Sequence, residues 1–197
     1  MNILGIIPAR KNSKRLPDKN IRNLCGKPMI TYTIEEAKKS KYLEKIIISS
    51  DDDRMEKIAE KYNVDFLFRP KELAQDSTPT IDVVKHVVKK LEDEINYIPE
   101  IIVLLQPSSP LRIVEDINNG ILMYTKNNFD SVVSVKEVAP HIFYPNGAVY
   151  VFTDEIWTEN IGLYLMPKER SVDIDTIEDF EMVKMYMKWR QNGYDNS

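Results

Sequence analysis

Positions 8 to 20 read Pro-Ala-Arg-Lys-Asn-Ser-Lys-Arg-Leu-Pro-Asp-Lys-Asn and follow an apolar run, Ile3–Ile7. Arg10, Lys11, Lys14, Arg15 and Lys19 stand there against one acid, Asp18, in a chain whose net charge is −4. Cations and loop amides gathered at a strand end make an anion site, and a polyphosphate matches their charge. A solvated basic loop explains the composition equally well. The segment is not a Walker loop, because Gly26-Lys27 is followed by Pro28 and no glycine stands five residues before Gly26. A G-x-G-x-x-G dinucleotide fingerprint is absent as well.

Three further segments carry polar groups, two of them where a strand would end and the third near the C-terminus. Ser49-Ser50-Asp51-Asp52-Asp53 follows the second apolar run; Asp52 or Asp53 can cap the next helix, and Asp51 is left to face a pocket. In Gln106-Pro107-Ser108-Ser109-Pro110-Leu111-Arg112 two prolines fix the turn, and Gln106 and Arg112 are expected to reach forward into a crevice. In Ser171-Val172-Asp173-Ile174-Asp175 the two acids alternate, so an extended backbone turns both to one side. Two carboxylates near a phosphate loop suit Mg²⁺, although Asp175 could instead cap a helix beginning at Thr176.

These segments need a scaffold that brings strand ends together. Ile3–Ile7, Lys45–Ser50, Val64–Phe68, Ile101–Leu105, Ser131–Val135, Gly147–Phe152 and Leu163–Met166 read as strands. Several are apolar on both faces, as in a parallel sheet covered by helices. Helices are expected over Pro28–Lys39, Asp53–Tyr62, Thr80–Asn96, Val114–Asn127 and Thr176–Arg190, with Ile81, Val84, Val88, Leu91 and Ile95 forming one face of the third. The alternation predicts an α/β fold with a doubly wound, mostly parallel sheet in a single domain over 1–197, and ligands bind such folds outside the carboxyl ends of the strands. Gln191–Ser197 reads as a polar frayed tail.

Composition narrows the classes. Apolar residues make up 43 % and charged residues 29 % of the 197, which is globular composition. The acidic balance argues against a broad nucleic-acid face. Cys25 is the sole cysteine, excluding an internal disulfide and a cysteine zinc cluster, and two histidines leave little for a histidine-rich metal site. Met1–Ile7 lacks a cationic leader and stops at Pro8, so it is expected to be a buried strand. The longest apolar runs fall far short of a bilayer span. Cytoplasm is the expected compartment.

The ordered set of motifs resembles the acylneuraminate cytidylyltransferases and related CMP-activating enzymes for acid sugars. It comprises Ile6-Ile7-Pro8-Ala9-Arg10, Ser13-Lys14, Lys19-Asn20, Gly26-Lys27-Pro28, Ser50-Asp51-Asp52, Arg69-Pro70, Leu73-Ala74, Gln106 to Arg112, Pro145-Asn146-Gly147-Ala148 and Arg170 to Asp175. The resemblance implies a Rossmann-like, three-layer α/β/α nucleotidyltransferase domain. It also implies that CTP and a 2-keto-3-deoxy acid sugar react with Mg²⁺ to give the CMP-sugar and pyrophosphate. Arg10, Ser13, Lys14 and Lys19 would hold the triphosphate, and Asn20 the nucleotide near its ribose. Arg69 and Thr80 would contact cytosine or ribose. Gln106, with Ser108 and Arg112, would serve the acid sugar. Asp173 and Asp175 would bind Mg²⁺, and Arg10, Lys19 and Asp175 would be catalytic.

This chain departs from the family pattern at Asn12 and Arg15, where glycines are usual, and at Ser108, where threonine is usual. The larger departure lies between Lys136 and Tyr144. Family members carry an insertion there that reaches the partner subunit and brings a basic segment to the sugar; here only Glu137–Phe143 bridges the gap, with His141 in an exposed loop. A homodimer would therefore form without the usual arm. The alternatives are a nucleotidyltransferase for a different acid sugar, or a relic that binds CTP without turnover.

Overall fold

A computed structural model describes residues 1–191 of the chain. The tail expected over Gln191–Ser197 is described only at Gln191, which ends the last helix; residues 192–197 lie outside the described residues.

One sheet of seven strands organises the molecule. β1 (Ile3–Pro8) pairs in parallel with β4 (Lys45–Ser50) on one side and with β6 (Ile101–Leu104) on the other, and β4 pairs in parallel with β5 (Asp65–Phe68). β8 (Ile142–Phe152) runs antiparallel to both β6 and β7 (Ser131–Ala139), and β9 (Ile161–Leu165) closes the edge parallel to β7. The spatial order is β5-β4-β1-β6-β8-β7-β9. The chain steps from β1 outward to β5 and then returns to β6 on the opposite side of β1, so a crevice opens between the carboxyl ends of β1 and β6. β2 (Asn23–Leu24) and β3 (Lys27–Pro28) form a small separate hairpin around Cys25 and Gly26, both at positive φ.

Burial on both faces of the central strands explains their near-continuous apolar runs. On one side α1 (Ile30–Lys39), α2 (Asp53–Tyr62) and α4 (Val114–Lys126) pack Ile30, Ile34, Met55, Ala59, Ile117 and Ile121 against Ile3, Ile7, Ile48 and Val103. On the other α3 (Thr80–Ile95) packs Val84, Val87 and Leu91 against Leu4, Ile6, Ile47, Ile102 and Leu104. This is the three-layer arrangement expected. The buried stripe of α3 runs through Val83, Val84, Val87 and Leu91, whereas Ile95, next to the left-handed cap Asn96, is exposed.

A third cluster lies beneath the crevice. Leu16, Leu111 and Ile174 come from three of the polar segments singled out in the sequence, and they pack with Leu24 and Met29 against Phe180, Val183 and Met187 of α5 (Ile177–Gln191). One small core thereby fixes all three segments relative to one another.

Two local expectations change. Pro28 belongs to β3 rather than to the first turn of α1, which begins at Ile30. The stretch 137–143 is not an open loop but the end of a hairpin: Glu137 lies opposite Phe143 and Ala139 opposite Ile142. His141 sits at the turn with φ 61° and donates its backbone N–H to Glu137 Oε1.

Candidate active site

The crevice at the strand ends is a cleft of about 370 Å³. Arg10, Ser13, Lys19, Asn20, Arg69, Thr80, Gln106, Ser108, Asp173 and Asp175 all line it. Four separate stretches of sequence meet there, each delivered by a strand end or by the segment before α5.

The cationic loop leaves β1 and is tied down by its own backbone. Ala9 N–H donates to Ser49 O at 2.9 Å, and Ser50 Oγ donates to Ala9 O. Asn20 Nδ2 donates to Arg10 O at 3.1 Å, folding the loop back on itself. Asp51 accepts from Lys11 N–H at 2.7 Å, so this carboxylate holds the loop backbone. Asp52, not Asp53, is the N-cap of α2: its Oδ1 accepts from Arg54 N–H at 3.1 Å. The Arg54 guanidinium grips Asp52 and reaches Asp18 at 2.6 Å, anchoring the far end of the loop.

Lys19 sits in the short helical turn Lys19–Ile21 and crosses the cleft. Its Nζ donates to Ile174 O at 2.7 Å and to Asp175 Oδ1 at 3.2 Å. Arg15 approaches the other oxygen of Asp175 at 2.9 Å. Arg10 and Lys14 both pair with Asp76. Lys14 is largely exposed and lines an adjoining depression with Arg10, Ser13 and Asp76. Arg69 is 4 % exposed and donates to Ser49 O at 2.7 Å; burial pulls its guanidinium down to about 10.

The segment carrying the two acids is stitched to the Gln106 turn by Ile174 N–H donating to Ser108 O at 2.8 Å. Asp175 does not cap α5. Thr176 does, in a reciprocal box in which Thr176 Oγ1 accepts from Asp179 N–H at 3.2 Å and Asp179 Oδ2 accepts from Thr176 N–H at 2.9 Å. Asp175 is thereby released for the cleft. Burial raises the Asp173 carboxyl above its ordinary value, against an opposing hydrogen bond from Ser108. Asp173 Oδ1 is buried without a hydrogen-bond partner. Among the described residues no cluster of three or more metal-ligating side chains occurs.

Arg112 corrects the sequence reading. It does not enter the crevice. At 2 % exposure it lies under the turn, and its Nη1 donates to Gln106 O at 3.3 Å and Ala148 O at 2.5 Å. Burial lowers its guanidinium to about 10. It holds the turn that presents Gln106. Asp76, Gln75 and Thr78 line the cleft and were missed. They lie in the polar stretch beyond β5, which inspection of every strand end would have reached.

A family model described as "Cytidylyltransferase" matches residues 4–196. The chain belongs to the cytidylyltransferase family. It is 34 % identical to the N-acylneuraminate cytidylyltransferase of Escherichia coli O18:K1:H7, over 91 % of this chain and 51 % of that protein. The aligned stretch, 217 positions, exceeds this chain's length, so the relative carries residues this chain lacks. It is 30 % identical to the CMP-N,N'-diacetyllegionaminic acid synthase of Legionella pneumophila, over 98 % of this chain and 99 % of that one. The chain thus spans about half the length of the N-acylneuraminate cytidylyltransferases it matches and nearly all of the legionaminic acid synthase. Among solved structures, a CMP:2-keto-3-deoxy-manno-octonic acid synthetase complexed with CTP superposes with a TM-score of 0.76 at 16 % identity, covering 96 % of this chain and 100 % of that one, a likeness of fold.

Proposed function

We propose that this chain activates a sialic-acid-like 2-keto-3-deoxy acid sugar with CTP, releasing pyrophosphate. The observation that carries the reading is the lining of one cleft, which gathers Arg10 and Lys19 of the cationic loop, the carboxylates Asp173 and Asp175, and Gln106. Cytidylyltransferase relatives that take related acid sugars support the substrate class.

In this reading Arg10, Ser13, Lys14 and Lys19 hold the triphosphate, and Asn20, Arg69 and Thr80 hold the nucleoside. The triphosphate takes Arg10 and Lys14 from Asp76, which pairs with both. The anomeric oxygen of the sugar attacks the α-phosphorus in line, the bond to the β-phosphate oxygen breaks, and pyrophosphate leaves with that electron pair. Asp175 takes the hydroxyl proton. Lys19 and Arg10 stabilise charge developing on the departing phosphates, where preorganised cations act most strongly.

Asp173 and Asp175 fit Mg²⁺. The ion commonly uses one or two carboxylates and fills its remaining positions with phosphate oxygens and water. Two acids on the cleft wall, one with an unpartnered buried oxygen, match that demand. Bound there, Mg²⁺ would neutralise phosphate charge and polarise the phosphorus centre.

The test is purified chain with CTP, Mg²⁺ and one acid sugar at a time. Pyrophosphate release with at least one sugar is expected. CTP binding without release for any sugar would favour the relic.

A further inference from the structure

We propose that Gly147 is a positioning residue for the acid sugar, acting through Gln106. This role rests on the proposed function, in which Gln106 faces the sugar. β8 is irregular at this point: β7 advances two positions, Val133 to Val135, while β8 advances five, Tyr150 to Pro145. The extra residues make a bulge, and bulges re-aim what they carry. Its loosened backbone groups are taken up by side chains. Ser134 Oγ accepts from Val149 N–H at 2.7 Å, and Asn146 Oδ1 accepts from Ala148 N–H at 3.1 Å and from Ser134 Oγ at 2.6 Å.

The bulge is bonded to two of the segments that line the cleft. Ser109 Oγ donates to Asn146 O at 3.0 Å on the Gln106 side, and Asn146 Nδ2 donates to Ser171 Oγ at 3.0 Å on the side that leads to Asp173. Gly147, at φ +74°, lies against the Gln106 side chain itself. A Cβ there would stand 2.5 Å from Gln106 Oε1 and 3.4 Å from Ser109 Oγ. The obstructed atom is the tip of a flexible side chain, so a larger residue would turn Gln106 aside before moving backbone. The missing Cβ is therefore the space that seats the Gln106 carboxamide.

Gly147→Ala is compared with Gly26→Ala. Gly26 also has positive φ, +99°, but open space around its Cβ, so it reads backbone strain alone. Gly147→Ala is expected to raise the KM for the acid sugar by roughly tenfold or more, with CTP affinity unchanged. In a Gln106→Ala background the same substitution should add nothing beyond the Gly26→Ala effect, because the residue it acts through is gone. Additive losses, or equal losses in CTP affinity and sugar KM, would overturn the role.

Should Gly147→Ala not fold, Ser109→Ala removes the bond from the turn to the bulge and should move sugar KM in the same direction; an unchanged KM overturns the proposal. The proposed function fails separately, as CTP binding by the wild type without pyrophosphate release. The seating is then decided by the side-chain amide NMR signals of Gln106, which Gly147→Ala should shift and Gly26→Ala should not. Unshifted signals in Gly147→Ala would overturn it.

Discussion

Lys19 and Asp175 form one ion pair within the cleft. Lys19 Nζ holds Ile174 O and Asp175 Oδ1 across the cleft. A charge-assisted contact to phosphate contributes about 1.5–3 kcal/mol, so Lys19→Ala should weaken CTP binding by roughly 10- to 100-fold, measured by calorimetry. Unchanged affinity would remove Lys19 from the nucleotide site. Asp175→Asn should instead lower kcat by on the order of 10²-fold or more while CTP affinity changes little. Equal turnover would reject a chemical role for that carboxylate. Asp76→Asn should tighten CTP binding, because it removes an internal anion from Arg10 and Lys14; weaker binding would show that Asp76 assists the nucleotide. Arg10, Lys14 and Lys19 stood out in the sequence as cations clustered after an apolar run, and Asp175 by its alternation with Asp173, while their roles came only from the family resemblance. Arg112 was misread, since nothing local distinguishes an arginine aimed at a ligand from one folded under its own turn. Asp76 was overlooked because no charge run marks it.

At the scale of elements, α2 and its cap fix the loop that carries the cations. The Arg54 guanidinium beside Asp52 holds that carboxyl below its ordinary value of 3.8. A depressed folded value means this stabilisation is complete above the unfolded value and is lost as pH falls through the folded one. Asp52→Asn keeps a capping oxygen but not the charge, so its stability deficit at pH 7 should shrink below about pH 4 in thermal unfolding. A deficit independent of pH would contradict the pairing. Asp52→Ala also removes the cap and should cost about 1 kcal/mol or more. The helices and central strands were legible because two-sided burial leaves apolar runs and one-sided burial leaves helical stripes. The outer end of the β7–β8 hairpin was not: Glu137-Val138-Ala139-Pro140-His141 has no clean alternation, and its pairing lies beyond a bulge held by buried Ser134 and Asn146.

Across the whole molecule, three core clusters pack the elements around the cleft, with the third tying loop, turn and acidic segment to α5. A buried ion pair secures the same region. Arg170 binds both oxygens of Asp116, which is 0 % exposed, at 2.8 and 3.0 Å, joining α4 to the segment before Asp173. Arg170→Ala leaves that buried carboxylate without its counter-charge, held only by hydrogen bonds from Tyr164 Oη and Ile113 N–H at 3.1 Å each, and should cost about 3–5 kcal/mol in chemical denaturation. A loss under about 1 kcal/mol would show that these two hydrogen bonds satisfy Asp116 without the guanidinium. Sequence could not foresee this pair, because Asp116 sits in a helix where acids usually face solvent. The fold brings a cationic loop and two acids to one cleft. Pyrophosphate release from CTP and Mg²⁺ across a panel of acid sugars tests the proposed activity most directly. The account predicts release with at least one sugar, abolished or strongly reduced in Asp175→Asn. CTP binding with no release across the panel would contradict it.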